Sequence, residues 1–234
     1  MVSKSPLHID ANLRTLRERI GQAAREAGRR PGDVRIIAVS KQQSVMAITT
    51  ALKAGQREFG ENFVQEARGK MDALAAEPII WHFTGTLQSN KTRAVAERFQ
   101  WVHTVDRAKI ARRLAAQRPA HAGPLDICIE VRLVEEPGKT GVPPDAVGAL
   151  AAEVAGLERL RLRGLMCLPP RETETALQRA HFRRLREIRD SLLAAGHVLD
   201  TLSMGMSDDY PAAVREGATM VRIGTAIFGP RQEQ

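Results

Sequence analysis

Lys41 ends the apolar run IIAVSK (residues 36–41), and TMVRIGTAIFG (residues 219–229) carries a second apolar run into a glycine-flanked turn. An amine at the C-terminal end of a strand can condense with an aldehyde, and a glycine-flanked turn presents backbone N–H groups to an anion. Together the two segments point to pyridoxal phosphate. The chain has 35 Lys and Arg residues, 28 of them Arg and only seven Lys, so positive charge alone is ordinarily met with arginine. Arginine stays protonated and is no amine nucleophile, whereas lysine loses its proton when desolvated or set beside other cations. A lysine kept at a strand end is therefore a candidate for chemistry. The competing reading is a solvated lysine at the end of a strand.

The elements that must position these residues alternate along the chain. Strand-like runs fall at 35–39, 57–60, 79–84, 101–104, 126–133, 162–166, 201–204 and 219–223, with helical patterns at 45–54, 63–75, 90–98, 107–117, 144–155, 175–195 and 208–216. Alternating β and α segments read as βαβ units and a parallel sheet, and eight such strands favour closure into a TIM (β/α)8 barrel. Only a few residues, ending in FGPRQEQ, follow the eighth run, so one outer helix is expected to be supplied from elsewhere in the chain. Ile9, Leu13, Leu16, Ile20 and Ala24 recur at helical spacing ahead of Gly28, Pro31 and Gly32, which predicts an additional N-terminal helix covering the gap between strands eight and one. An open doubly wound sheet is the alternative, but no GxGxxG follows the first strand. With 234 residues and neither internal repeat nor low-complexity tract, one barrel domain over residues 1–234 is expected.

Composition narrows the function classes. A hydrophobic content of 43% with 26% charged residues is that of a soluble globular chain, and no uninterrupted apolar segment resembles a signal peptide or membrane span, so a cytoplasmic protein is expected. Cys128 and Cys167 lie in apolar runs and read as buried and reduced, and no metal-ligand spacing is present. The net charge of +8 raises nucleic acid as a partner, but the densest basic group, Arg179, Arg183, Arg184, Arg186 and Arg189, shares a helical pattern with Leu177, Phe182, Leu185, Ile188 and Leu192. It reads as the solvated face of a helix rather than an RNA-binding stripe.

In a barrel of this kind ligand groups sit on loops after the strands, with phosphate commonly held after strands seven and eight. Lys41 follows strand one, residues 60–62 (GEN) strand two, residues 85–91 (GTLQSNK) strand three, residues 203–209 (SMGMSDD) strand seven and residues 224–229 (GTAIFG) strand eight. Each motif alone reads equally as a turn or a helix cap. Their shared position at one rim favours a site.

The segments FGENFVQEA (59–67), WHFTGTLQSNK (81–91), LRGLMCLPP (162–170), LSMGMSDDYPAAVREGATMVRIGTAIFG (202–229) and AVSK (38–41) resemble the pyridoxal phosphate homeostasis protein family, the YggS/PROSC-like proteins. The resemblance covers nearly the whole chain in order. It implies a fold-type III barrel like the N-terminal domain of alanine racemase, with pyridoxal phosphate (PLP) held as a Schiff base. By the same resemblance Lys41 is the Schiff-base lysine, Ser207, Gly224 and Thr225 hold the phosphate, Arg222 faces the pyridine nitrogen, and Asn62 contacts the ring hydroxyl. His82 reads either as the floor of the site or as a satisfied core histidine. Gln42, Gln43 and Ser44 depart from a Thr-Lys-Pro pattern, Arg132 stands for asparagine and Thr86 for proline. Lys139 matches a family lysine, with an exposed loop lysine as the default reading.

Three functions compete on these readings. The first is a non-catalytic carrier in intracellular vitamin B6 homeostasis that buffers PLP and passes it to apo PLP-enzymes. This reading expects a monomer with no membrane partner. The second is an amino-acid racemase of the alanine racemase type, which needs a second base on the opposite face of the substrate. In alanine racemase that base is a tyrosine supplied with the help of a further β domain. The chain is expected to lack that domain, and Tyr210, its only tyrosine, is expected on the helix after strand seven. The third is a basic RNA-binding or scaffolding protein with a vestigial site.

Overall fold

In the computed structural model residues 8–136 and 138–230 are described. Residues 1–7 of the N-terminal stretch and residues 231–234 of the C-terminal one lie outside them. Eight parallel strands close into a barrel in chain order: β1 (Arg35–Val39), β2 (Glu58–Glu61), β3 (Ile80–Phe83), β4 (Trp101–Val105), β5 (Leu125–Glu130), β6 (Leu160–Met166), β7 (Thr201–Ser203) and β8 (Met220–Ile223). Closure is made by β1 against β8, with Arg35 opposite Met220 and Ile37 opposite Arg222. This is the expected TIM barrel.

The helices between the strands are α2 (Val45–Lys53), α3 (Val64–Ala73), α4 (Thr92–Arg98), α5 (Ala108–Gln117), α6 (Val147–Ala155), α7 (Thr175–Ala194) and α8 (Tyr210–Arg215). The additional N-terminal helix is α1 (Ile9–Glu26), whose apolar face buries Ile9, Leu13, Leu16, Ile20 and Ala24. It packs against α8 and α2 and closes the outer wall where sequence spacing predicts a gap. Two polar ties fix it there: Asn12 donates to Ile227 O at 2.9 Å, and Arg17 donates to Ala54 O at 2.8 Å. No helix among the described residues is long and apolar enough to cross a membrane.

Three expectations need correction. The glycine-flanked segment after β8 is not only a turn, because a further helical turn, α9 (Thr225–Phe228), starts directly after Gly224 and packs on α1. The fifth strand is shorter than its apolar run, because beyond Glu130 the backbone leaves β4 and Val131 bridges Val142 instead. The basic face of α7 is also more than a solvated stripe. Arg179, Arg183 and Arg186 converge on the buried carboxylate of Glu216 at 2.7, 3.2 and 3.0 Å, tying α7 to the end of α8. A lone buried carboxylate would cost several kcal/mol, so these guanidinium groups are structural counter-charges.

The barrel holds two packed regions. A large apolar core lies between strands and helices, and a smaller one of Ile37, Trp101, Cys128, Met166 and Met220 fills the interior. Side chains alternate along a strand with period two. Ile80 with His82, Trp101 with His103, and Met220 with Arg222 therefore share one side, so interior polar groups sit above interior apolar ones.

Candidate functional site

A cleft of about 670 Å3 opens at the C-terminal ends of the strands, and Lys41, Asn62, Ser207, Arg222, Gly224 and Thr225 all line it. These six residues come from the ends of β1, β2, β7 and β8, so barrel closure brings together groups up to 184 positions apart (Lys41 to Thr225). Arg171 and Glu172, from the segment joining β6 to α7, and Gln178, on the first turn of α7, also line the cleft.

Lys41 is half-buried and starts a turn two positions after Val39, the last residue of β1. Its neighbours are tied down from both sides. Ser40 Oγ donates to Glu61 Oε1 at 2.6 Å, and the Gln42 amide donates to Glu66 Oε1 at 2.5 Å. Gln42 has a φ of 61°, in the left-handed region that non-glycine residues adopt at a cost. Lys70 Nζ joins the two carboxylates, donating to Glu61 Oε1 at 2.7 Å, Glu66 Oε1 at 2.5 Å and Ser40 O at 2.6 Å. Burial pushes the Glu61 carboxyl above its ordinary value, against the pull of Lys70 and Ser40. The departure at Gln42, Gln43 and Ser44 leaves the geometry whole: Ser44 Oγ caps α2 by accepting from the Ala47 amide at 3.2 Å.

Arg222 stands on β8, where the sheet fixes its backbone, and its guanidinium is buried. Nη1 donates to Ser203 O at 2.6 Å and Ser203 Oγ at 2.7 Å, and Nη2 donates to Cys167 O at 2.8 Å. Burial lowers its pKa, partly offset by the nearby acidic groups, Asp209 and Glu130 among them, yet a guanidinium stays charged in any protein setting.

From Ser203 a chain of hydrogen bonds runs down the barrel interior. His103 Nδ1 lies 2.8 Å from Ser203 Oγ, and His103 Nε2 lies 2.9 Å from His82 Nδ1. His82 Nε2 in turn faces Glu58 Oε2 at 3.2 Å. An arginine only donates, so Ser203 Oγ accepts from Arg222, which leaves its own proton available to His103 Nδ1. With that proton given to His103, both imidazoles carry theirs on Nε2, and the chain runs in one direction from the cation at the top towards the carboxylate at the bottom. Burial pushes the pKa of both imidazoles down, that of His103 far down, which keeps the pair neutral. At its foot the chain is imperfect, since alignment there leaves Glu58 Oε2 and His82 Nε2 without a completed hydrogen bond.

The remaining rim groups are also oriented. Thr84 Oγ1 donates to Asn62 Oδ1 at 2.8 Å, which leaves the Asn62 side-chain N–H groups as what it offers to a ligand. Gly85 makes this approach possible, because a Cβ there would lie 2.2 Å from Asn62 O. Ser207 Oγ accepts from the Ala226 amide at 3.3 Å, coupling the loop after β7 to α9. Gly224 has a φ of −111° and a Cβ on it would meet Val39 at 3.4 Å or more, so neither a left-handed backbone nor tight packing demands glycine there. A ligand pressed against this backbone would demand it.

Other candidates fall outside the cleft lining. His82 is fully buried inside the barrel and does not line the cleft; its Nδ1 is paired with His103, while its Nε2 only faces Glu58. Lys139 pairs with Glu136 and Arg132 with Glu135, both on the segment after β5, where Lys139, Arg132 and Thr86 line a separate cavity of about 220 Å3. Cys128 and Cys167 are buried free thiols, both pushed up to about 12 by burial. Tyr210 is buried at the start of α8. Residue-by-residue reading missed Lys70, Glu61, His103 and Ser203. For Lys70 a signal existed: it is one of seven lysines in an arginine-rich chain and stands four residues after Glu66 on one helix.

The fold and the strand-end site define an alanine-racemase-like barrel, and the model of the family described as alanine racemase, N-terminal domain, matches residues 9–232. The chain is 53% identical over 223 residues to the pyridoxal phosphate homeostasis protein of Pseudomonas aeruginosa, covering 95% of this chain and 96% of that one. It is 48% identical over 223 residues to the pyridoxal phosphate homeostasis protein of Escherichia coli K12, covering 94% and 95%. The structure of PipY from Synechococcus elongatus PCC7942 with PLP bound matches with a TM-score of 0.84 at 38% identity, over 94% of this chain and 100% of that one. The chain belongs to the pyridoxal phosphate homeostasis protein family.

Proposed function

We propose that this chain binds PLP in the rim cleft and serves intracellular vitamin B6 homeostasis as a cytoplasmic, monomeric, single-domain carrier that passes the cofactor to apo PLP-enzymes. The observation that carries this reading is the convergence of Lys41, Asn62, Ser207, Arg222, Gly224 and Thr225 on one cleft, whose volume of about 670 Å3 falls within the range of about 300–1,000 Å3 typical of ligand pockets. Glycine at position 224 fits a phosphate set against backbone amides, with the Ser207 and Thr225 hydroxyls as further donors. When bound, the cofactor supplies an electrophilic aldehyde. Lys41 would supply the amine that holds this aldehyde, with one water released on loading and taken up again on release, which needs no redox partner and suits a reversible carrier.

Arg222 would place a fixed positive charge beside the pyridine nitrogen. That charge disfavours protonation of the ring, so the ring is a poor sink for carbanion electrons, which suits holding the cofactor better than amino-acid chemistry. The Asn62 side-chain N–H groups are placed to donate to the ring oxygen. The racemase reading lacks a comparable observation, because Tyr210 does not line the cleft. The RNA reading is weakened by the engagement of Arg179, Arg183 and Arg186 with Glu216.

The test is to load the purified chain with PLP, then incubate it separately with an apo PLP-enzyme and with D- or L-alanine. The expected result is recovery of the apo-enzyme's activity with the alanine configuration unchanged. Sustained racemisation overturns the carrier reading.

A further inference from the structure

Behind Lys41, between β2 and α3, lies a charged cluster that the binding contacts do not use. Among the described residues Lys70 is the one buried lysine, with a side chain only 7% exposed. Its ammonium has three protons and three acceptors, Ser40 O, Glu61 Oε1 and Glu66 Oε1 at 2.6, 2.7 and 2.5 Å. With every proton committed, Lys70 is no second nucleophile. What it does is join the two carboxylates that hold Ser40 and Gln42, the residues immediately before and after Lys41.

We infer that Lys70, with Glu61 and Glu66, is a positioning device for Lys41, shaping the turn so that its amine meets the aldehyde of a phosphate-anchored cofactor. The inference rests on the PLP-binding reading above.

Three observations carry it. Stability alone explains the cluster poorly, because buried ion networks can often be replaced by apolar side chains of similar volume without loss. Here the cost is visible: Glu61 Oε2 is buried without a hydrogen-bond partner. The cluster also sits where the sheet stops helping. β1 ends at Val39, and the left-handed Gln42 needs an external acceptor to hold its amide, which Glu66 provides. Finally, the cation is lysine in a chain that has four arginines for every lysine, 28 against seven. A compact ammonium fits three converging acceptors, and a planar guanidinium fork does not.

The experiment measures two quantities on the full chain: total PLP bound at equilibrium, by dialysis, and the rate at which the visible band that depends on Lys41 grows after mixing. For Lys70→Met the expected result is unchanged total binding at saturating PLP with band growth slowed about ten- to a hundred-fold, as expected when a reacting group is misplaced by about 1 Å. Glu66→Gln keeps a carbonyl acceptor for the Gln42 amide and should fall between this variant and wild type, and Lys70→Arg should not restore the rate. If Lys70→Met fails to fold, Glu66→Gln and Ser40→Ala carry the same comparison. Wild-type rates in the folded variants, or equal losses of binding and rate, overturn the positioning role. Failure of the wild type itself to bind PLP or form the band overturns the binding reading instead.

Discussion

The two ends of the cleft are held by buried polar networks of opposite kind. At the Lys41 end the network is ionic, with one ammonium between two carboxylates on β2 and α3. At the Arg222 end a neutral relay of Ser203, His103 and His82 fills the barrel interior, with charge only at its two termini. The difference follows from what each side must fix. Arg222 lies on a strand, so the sheet holds its backbone and only its side chain needs orienting, which neutral hydrogen bonds achieve. Lys41 lies beyond its strand, so side chains must hold the backbone on either side of it.

The largest expected break is at the reacting amine. Lys41→Ala should abolish borohydride-stable incorporation of PLP while phosphate-anchored binding persists, measured as reduced adduct against dialysed cofactor. At the other end, Arg222→Ala removes charge-assisted donors worth about 1.5–3 kcal/mol, so PLP affinity should fall about ten- to a hundred-fold with Lys41 still able to link. A spectrum and affinity equal to wild type would take Arg222 out of the site. Ser203→Ala cuts the relay and leaves His103 Nδ1 unpartnered in the barrel, at a cost of about 1–3 kcal/mol in urea unfolding.

Smaller effects separate the two networks by pH. His82 and His103 are held below their ordinary 6.5 chiefly by burial, so the unfolded chain binds protons that the folded one does not. Their contribution is present above pH 6.5 and is lost as pH falls through it. Glu61 is raised above its ordinary 4.5, again chiefly by burial, so its contribution has the opposite slope and is lost as pH rises from 4.5 towards the folded value. Urea unfolding of Glu61→Gln across this range should therefore show a steeper rise of stability with pH than wild type. The two thiols, raised from an ordinary 9.0 to about 12 by burial, should resist alkylation in the native protein at pH 8 and react after unfolding.

The architecture was readable because periodicity and punctuation are local. β1 matches its apolar run, and the other strand boundaries shift by up to three residues, as where Glu130 ends β5 once Val131 turns to Val142. The rim groups were readable from their place at strand ends together with the family resemblance. The supporting networks were not, because they depend on which side chains meet across the barrel. His103 and Ser203 are 100 positions apart, and nothing near either predicts their contact. The ion pairs of the α7 arginines were hidden for the same reason, since Glu216 reaches them only through the fold.

We propose Lys41 as the amine that this cleft offers to PLP. The most direct test is borohydride reduction of the PLP-loaded wild-type chain, followed by peptide mapping of the modified residue by mass spectrometry. A single reduced adduct on Lys41 is the predicted result. No adduct, or an adduct on another lysine such as Lys70 or Lys139, would contradict it.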